Sequence, residues 1–523
     1  LQQGSKFIEK NKPHSSVNAY LMKRINETFS HFFSFLHGEK GNLRQKIFRG
    51  GLWLTALFFC SYFIQFMKGI ILARLLDPSI FGIIAICLAV IRGMDLLSET
   101  GIKPALIQNK KDFYCSRDTA FCITIIRGFL LSIIAFSIAP LVGLFYDNEI
   151  LTKIIRAMSI SFIIVGFVNI NIISLEKELN FKRIAIAEQI ASIFNFLIVV
   201  SLAYYLRNVW ALALGHIAGS FSILIVSYLI IPGFPKINFD LQIAKEIINY
   251  GRYITGLTIV IYLTTEIDNF VIGKVIGMES LGYYLIAYTF SNIATSDVAK
   301  IIARVMFPAF CKLQQDIDIL RIAYLLNLKV LCIFSFCVTV GIIILAEDII
   351  LLLYGPKWAP SVQALQVLSV FGSIRAVSGL NGYIYNSIGK PNIPFYINTA
   401  KLITIALIII PLTRSFGIIG TAYCVTLPSI FFYFYSIKIM KKILYFKQIE
   451  LCKIFIRPTL TCAIMGIIVF LLRKVLLPIN IVDLIFLILS GAIMSLLINY
   501  KFFKNLFNLY NQKDSAYISI RTP

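Results

Sequence analysis

The sequence predicts an all-α integral membrane protein of about fourteen spans. Two parallel-related six-helix bundles would surround a central cavity, with two more helices at the C-terminus. Three observations carry this. The chain is 58% hydrophobic and only 14% charged over 523 residues, with a mean hydropathy of +0.82, too apolar for a soluble protein with a polar shell. Apolar runs of about 18 residues or more recur along it, each long enough to cross a bilayer as a helix. Stretches 200 residues apart repeat one another.

The spans read at approximately 50–73, 80–100, 117–141, 152–174, 184–206, 209–231, 251–275, 281–302, 322–346, 362–388, 393–413, 416–438, 453–473 and 478–499. Pro78, Pro232, Pro356, Pro391 and Pro478 sit at or near their ends, where a residue without an N–H breaks a helix least. Connections are short, so no large extramembrane catalytic module fits between spans. The organisation expected is a basic tail over 1–46, a first bundle over 47–231 and a linker over 232–250. A second bundle would occupy 251–440, the extra helices 441–500 and a tail 501–523.

No short apolar core precedes a small-residue cleavage site in the first 45 residues, so no signal peptide is visible. The sequence starts at Leu1, and Met22 is an alternative start. Phe29, Phe32, Phe33 and Leu36 fall at i, i+3, i+4 and i+7, the spacing of an interfacial amphipathic helix; a disordered tail is the other reading.

The formal charge is +23, and its distribution decides its meaning. Lys23, Arg24, Lys46, Arg49, Lys103, Lys110, Lys111, Arg117, Lys177, Lys182 and Arg183 fall on one side of the alternating spans, as do Lys236, Lys390, Lys438, Lys441, Lys442 and Lys447. The other side holds little beyond Arg74, Arg207, Lys274, Lys357, Arg414, Arg473 and Lys474. Basic loops stay in the cytoplasm, which puts both termini there and requires an even span count. The excess is thus a topology signal with affinity for anionic membrane lipids, not a nucleic-acid footprint.

The repeat pairs Gly51 with Gly251, Trp53 with Tyr253, Thr55 with Thr255, Arg74 with Lys274 and Gly82 with Gly282. Further on, Pro104 pairs with Pro308, Tyr146 with Tyr354 and Arg207 with Arg414. Because six spans is an even number, both halves enter the membrane from the same side. Parallel repeats of this kind rock about their interface and open a cavity to alternate sides.

ARLLDPSIFG, GIKPALIQNKKD, DNFVIGKVIGMESLGYYLIAY and IARVMFPAFCKLQQD resemble the bacterial polysaccharide-transporter family of Wzx-type lipid-linked oligosaccharide flippases. That family lies within the superfamily that also holds multidrug and toxin extruders, and the resemblance covers about residues 47–440. It implies two six-helix bundles in a V and movement of an undecaprenyl-diphosphate-linked sugar from the cytoplasmic to the outer leaflet. This places the chain in a bacterial inner membrane, in cell-surface or lipopolysaccharide synthesis. Partners would be the lipid-linked oligosaccharide, membrane lipids, and the polymerase and chain-length proteins of that synthesis, around a monomeric transporter.

A sugar diphosphate is hydrated and anionic, so its passage needs a wet cavity with cations. Arg92, Arg127, Arg375 and Lys401 lie near the middle of their spans, where facing lipid costs roughly 2.5–3.5 kcal/mol each. They are therefore expected inside the bundles, as cavity cations or in ion pairs. Asp95 and Glu99 stand three and seven residues after Arg92, on one helical face. Lys68 and Asp268 occupy equivalent positions of the two repeats. With Glu266 they are candidates for a charge pair that couples transport to ions, though both lie near span ends, where snorkelling of Lys68 is an alternative.

The ten cysteines form no C-x-x-C pair and the four histidines no ligand spacing, so neither a disulfide framework nor a metal site is expected. No nucleotide-binding G-x-x-x-x-G-K-[ST] loop or nucleophile elbow occurs. The expectation is a transporter without cofactor or ATP. The alternatives are a multidrug extruder of the same superfamily, which would want an acidic cavity, and a membrane polymerase or ligase, which would want a large outer loop.

Overall fold

The dipeptide Asp77–Pro78 closes one apolar run and opens the next, and the chain turns there. In the computed structural model, Asp77 is the extended residue before a helix that starts on Pro78, where the missing N–H costs nothing. The structure describes residues 60–98, 102, 106, 113–177, 181–292, 295, 306–307, 310–311, 313–477, 479–500 and 504. The expected amphipathic helix of the N-terminal tail lies outside the described residues.

The described chain is a series of helices: α1 (60–75), α2 (Pro78–Leu97), α3 (Phe113–Phe145), α4 (Glu149–Met158), α5 (Ile160–Gly166), α6 (Ile172–Lys177), α7 (Phe181–Leu206) and α8 (Val209–Ile230). Then come α9 (Leu241–Val275), α10 (Met278–Asn292), α11 (Ile317–Ile349), α12 (Ser361–Ser387), α13 (Asn392–Leu444), α14 (Gln448–Val475) and α15 (Ile481–Ile498). No strand occurs among the described residues. Eight of these helices are long and apolar enough to cross a membrane, and the all-α membrane class read from composition is the one observed, with the count of fourteen spans extending beyond the described residues.

Local chemistry sets the starts. Asn148, Asn208 and Asp240 accept backbone N–H bonds from residues two or three further on, satisfying groups that a helix start leaves open. α13 is two antiparallel helices joined at Gly417, whose φ is +60°. The Cys424 thiol meets the Ile408 carbonyl across the hairpin at 3.6 Å, and Thr413 and Thr421 bond at 2.8 Å. Only a residue without Cβ turns so tightly at this φ without strain.

One span departs from its reading. The stretch 152–174 is not a continuous helix: α5 ends at Gly166 and irregular backbone follows to Asn171. Buried Asn169 makes this possible. Its amide bonds the carbonyls of Ile231 and Gly233 at 2.8 and 3.2 Å, and its N–H bonds Ser227 Oγ at 3.0 Å. Polar partners inside the protein replace the helical ladder that lipid-facing backbone would require.

Packing sorts the helices into two sets. α2 to α8 pack among themselves, as do α9 to α13, while α14 and α15 pack on α11. The sets meet mainly where α2 lies against α10 and α9. That crossing is nearly symmetric: a Cβ on Gly82 would fall 1.8 Å from the Met278 carbonyl oxygen, and one on Gly282 1.9 Å from that of Pro78. Positions 200 apart in number thus face each other, each glycine admitting the other helix's first turn.

Candidate functional site

Helical periodicity builds a cavity of about 300 Å³. Its wall takes Ile261, Thr264, Thr265 and Asp268 from α9, then Arg375, Ser378, Gly379 and Gly382 from α12. From α13 come Pro394, Ile397, Asn398, Lys401 and Ile405. Each set follows the i, i+3, i+4, i+7 rule of one helical face. Asp268, Arg375 and Lys401, singled out from the sequence, are therefore brought to one chamber within the second set of helices.

Arg375 donates to Tyr288 Oη at 2.7 Å and to Asn292 Oδ1 at 3.3 Å, with its guanidinium 6.0 Å from the centre of the Phe371 ring. Tyr288 stacks on Tyr284 at 6.0 Å, and the Tyr284 hydroxyl donates to Asp268 Oδ2 at 2.7 Å. Asp268 is buried and also accepts the Asn269 N–H. Lys401 has no ion pair among the described residues and feels the positive charge of Arg375. Two cations thus share a chamber whose one described carboxylate is already held by a tyrosine.

Asn381, Asn386, Tyr385, Ser429 and Ser436 add polar groups to the wall. A buried network fixes three of them: Tyr324 Oη donates to Asn381 Oδ1 at 2.8 Å, Asn381 Nδ2 to Ser436 Oγ at 3.0 Å, and Tyr385 Oη to the Ser436 carbonyl at 2.8 Å. The asparagines and serines among them carry no charge, and charge was the signal that singled out Arg375 and Lys401. The stripe of Ser, Asn and Gly that continues the Arg375 face through an otherwise apolar span was the available signal.

The remaining candidates lie elsewhere. Arg92 pairs with Glu266 of α9 at 3.6 Å across the interface between the sets; its side chain is 57% exposed and that of Glu266 7%. Glu266 also accepts from Asn269 Nδ2 at 2.7 Å, and Tyr262 Oη donates to the Ala89 carbonyl at 2.6 Å beside them. The same-helix pairing of Arg92 with Asp95 is not found. Asp95 instead holds Arg127 of α3, at 2.5 Å to its carboxylate and 2.7 Å to its carbonyl, with Ser98 Oγ accepting at 3.1 Å. Arg127 is thereby fixed away from the chamber, because a neighbouring helix offers three acceptors at once. Glu99 lies outside the described residues. Lys68 donates to Asn195 Oδ1 at 3.1 Å, and both Lys68 and Arg92 act electrostatically on His216. Lys68 and Asp268 are each held by other partners in this structure, so their equivalence in the repeat does not make them a pair here.

At the charge-poor end the halves are sealed crosswise. Arg74 donates to the carbonyls of Leu352 and Leu353, while Lys274, its repeat equivalent, pairs with Asp147 at 2.8 Å. Trp358 Nε1 donates to the Ala73 carbonyl at 2.9 Å, Lys357 to that of Leu76 at 2.6 Å, and Tyr146 Oη to that of Phe270 at 3.1 Å. Each half caps helix ends of the other.

The family of polysaccharide biosynthesis proteins matches the chain over residues 71–363, more than half its length. The chain belongs to this family. It is similar to the lipopolysaccharide biosynthesis protein WzxC of Escherichia coli K12, 27% identical over 69% of this chain and 74% of that one. It is also similar to the teichuronic acid biosynthesis protein TuaB of Bacillus subtilis 168, 23% identical over 82% and 89% respectively. In fold it follows the lipid II flippase MurJ in an inward closed conformation, with a TM-score of 0.70 and 16% identity over 87% of this chain and all of that one. The family resembled by its motifs is the one that the membership supports, and its long apolar helices make the chain a multi-pass membrane protein.

Proposed function

We propose that the protein flips an undecaprenyl-diphosphate-linked oligosaccharide from the cytoplasmic to the outer leaflet, by alternating access and without ATP, for cell-surface polysaccharide synthesis. The observation that carries this is the chamber holding Arg375 and Lys401 together. Two like charges in a low-dielectric interior repel, and an anion between them removes that cost. Arg binds phosphate bidentately, and the Asn, Ser and Tyr groups around it suit sugar hydroxyls. Such a chamber repels the organic cations that a multidrug extruder would carry.

In this reading the sealed, charge-poor end faces outward and both termini lie in the cytoplasm, which the Lys and Arg distribution supports. At about 300 Å³ the chamber is at the small end of ligand sites, which span about 300–1,000 Å³. A whole glycan headgroup therefore requires the two halves, 47–231 and 251–440, to part, with the prenyl tail remaining in the bilayer. Arg92 and Glu266 at the interface of the halves, and Lys68 near them, are placed to meet the headgroup or exchange partners as that happens. Transfer of the product to a polymerase and its chain-length protein would follow outside.

Deleting the gene should trap lipid-linked oligosaccharide on the inner leaflet and abolish the polymer. Arg375→Gln and Lys401→Gln proteins should reach the membrane in normal amount yet restore less than a tenth of the polymer. Full restoration by both variants would refute the chamber as the substrate's path.

A further inference from the structure

α14 runs beside α11 in the same direction, with residues 125 apart in number in contact. Cys337 meets Cys462 at 3.1 Å between sulfurs, and Asp348 meets Arg473 at 2.6 Å. α15 returns antiparallel: Ser495 Oγ lies 3.3 Å from the Cys337 sulfur, and Gly491 packs on Val469 and Met465. This register sets Arg457 of α14 level with Cys332 of α11, and so within three residues, ~5 Å of helix rise, of Lys329. It sets Tyr500, just past α15, at the same height. Lys504 lies with its ammonium 5.8 Å from the centre of the Tyr500 ring.

Arg457 of α14 is near enough to Lys329 of α11 for their charges to interact, and Lys504 follows Tyr500 at the end of the chain's return. With the basic end in the cytoplasm, as proposed above, this height is the level of the inner headgroups. α15 has 18 residues, ~27 Å at 1.5 Å each, so it spans the hydrocarbon once and ends at the interface, where tyrosine anchors. Arg457 is exposed and has no ion pair among the described residues. The nearest described carboxylate on α14, Glu450, lies two helical turns nearer the helix start and caps the Lys447 N–H at 2.9 Å. Above the cations, Leu460 and Ile464 of α14 and Ile493 and Leu496 of α15 are exposed and apolar.

We propose that Lys329, Arg457 and Lys504 form a binding site for the headgroup of an anionic phospholipid of the cytoplasmic leaflet, whose acyl chains lie along α14 and α15. Basic pockets between spans at this height suit phosphate headgroups, and a lipid here staples the two extra helices to the bundle. The site is apart from the chamber and does not depend on what the chamber carries.

The test is native mass spectrometry of the full chain, purified in detergent and titrated with phosphatidylglycerol, phosphatidylcholine and a polyprenyl phosphate. Phosphatidylglycerol should bind and phosphatidylcholine should not. Arg457→Gln should weaken phosphatidylglycerol about fivefold, and Arg457→Gln with Lys329→Gln about 30-fold, at about one interfacial charge each. Arg457→Lys should restore binding, which separates lost charge from misfolding, and Lys438→Gln serves as a distant control. Equal binding of phosphatidylglycerol by the parent and the double variant would overturn the site. So would a site that takes polyprenyl phosphate and not phosphatidylglycerol, since it would then belong to a prenyl carrier.

Discussion

Replacing Gly82 or Gly282 by alanine tests the crossing on which the sealed end rests. A methyl carbon there would stand 1.8 or 1.9 Å from a backbone oxygen of the facing helix. Carbon and oxygen do not approach within about 3.0 Å, so α2 and α10 must part by more than about 1 Å at their first turns. Overpacking of this kind costs about 1–3 kcal/mol. Alanine inside a helix recovers about 0.5–1 kcal/mol of chain entropy, so each single variant loses up to about 2.5 kcal/mol net, with about 1 kcal/mol the central value. The control is internal. Gly69 and Gly341 have nothing within 4 Å of the point where a methyl carbon would stand, and alanine there should be neutral or slightly stabilising.

The thermal midpoint in detergent reads the stability change. Accessibility reads the seal. A cysteine placed at Ser378 on the chamber wall, in a chain whose exposed Cys60 and Cys452 are serine, is offered a membrane-impermeant maleimide from outside whole cells. Weakening the closed state by about 2 kcal/mol multiplies the open fraction by about 30, and labelling should rise accordingly. A Gly82→Ala, Gly282→Ala protein as stable as its parent and no more labelled would refute the reading of this crossing as the seal.

Two further outcomes follow from the way α14 is held. Arg473 binds Asp348 through two nitrogens at 2.6 and 3.2 Å and Glu347 at 3.1 Å. Asp348 is largely buried, so Arg473→Ala should cost about 2 kcal/mol, less in an Asp348→Asn background; equal losses in both backgrounds would show that the pair contributes nothing. Cys337 and Cys462 should join under copper-phenanthroline, each thiol losing a proton and one electron to the oxidant. Intact mass should fall by about two hydrogens, and Cys337→Ser should abolish the change; persistence of two free thiols would contradict the packing of α11 on α14.

Much of the fold was legible because lipid imposes one rule on every span. Backbone polar groups must be paired internally, so long apolar runs become helices and Pro, Gly, Asn or Asp mark their turns. The Asp77–Pro78 turn and the hairpin near Gly417 follow from local chemistry alone. The break after Gly166 did not, because it depends on Asn169 reaching Ile231 and Gly233, some sixty residues away. Charge partners were legible least. Spacing of three or four residues tells which side chains share a helix face, not which helix that face meets. Hence Asp95 went to Arg127 and Arg92 to Glu266.

That this chain crosses the membrane many times, that its basic loops gather at one end, and that its halves are copies all follow from the amino-acid order alone. Those properties are sums over residues or comparisons within the chain. It took the packed helices to place Arg375 and Lys401 in one chamber, to tie Arg127 down elsewhere, and to bring Gly82 against Gly282's helix. The difference lies in what hydropathy constrains: it fixes how deep a residue lies in the bilayer but leaves a helix free to rotate about its axis. Rotation is settled by close packing between neighbours, and it is rotation that chooses which cations face water.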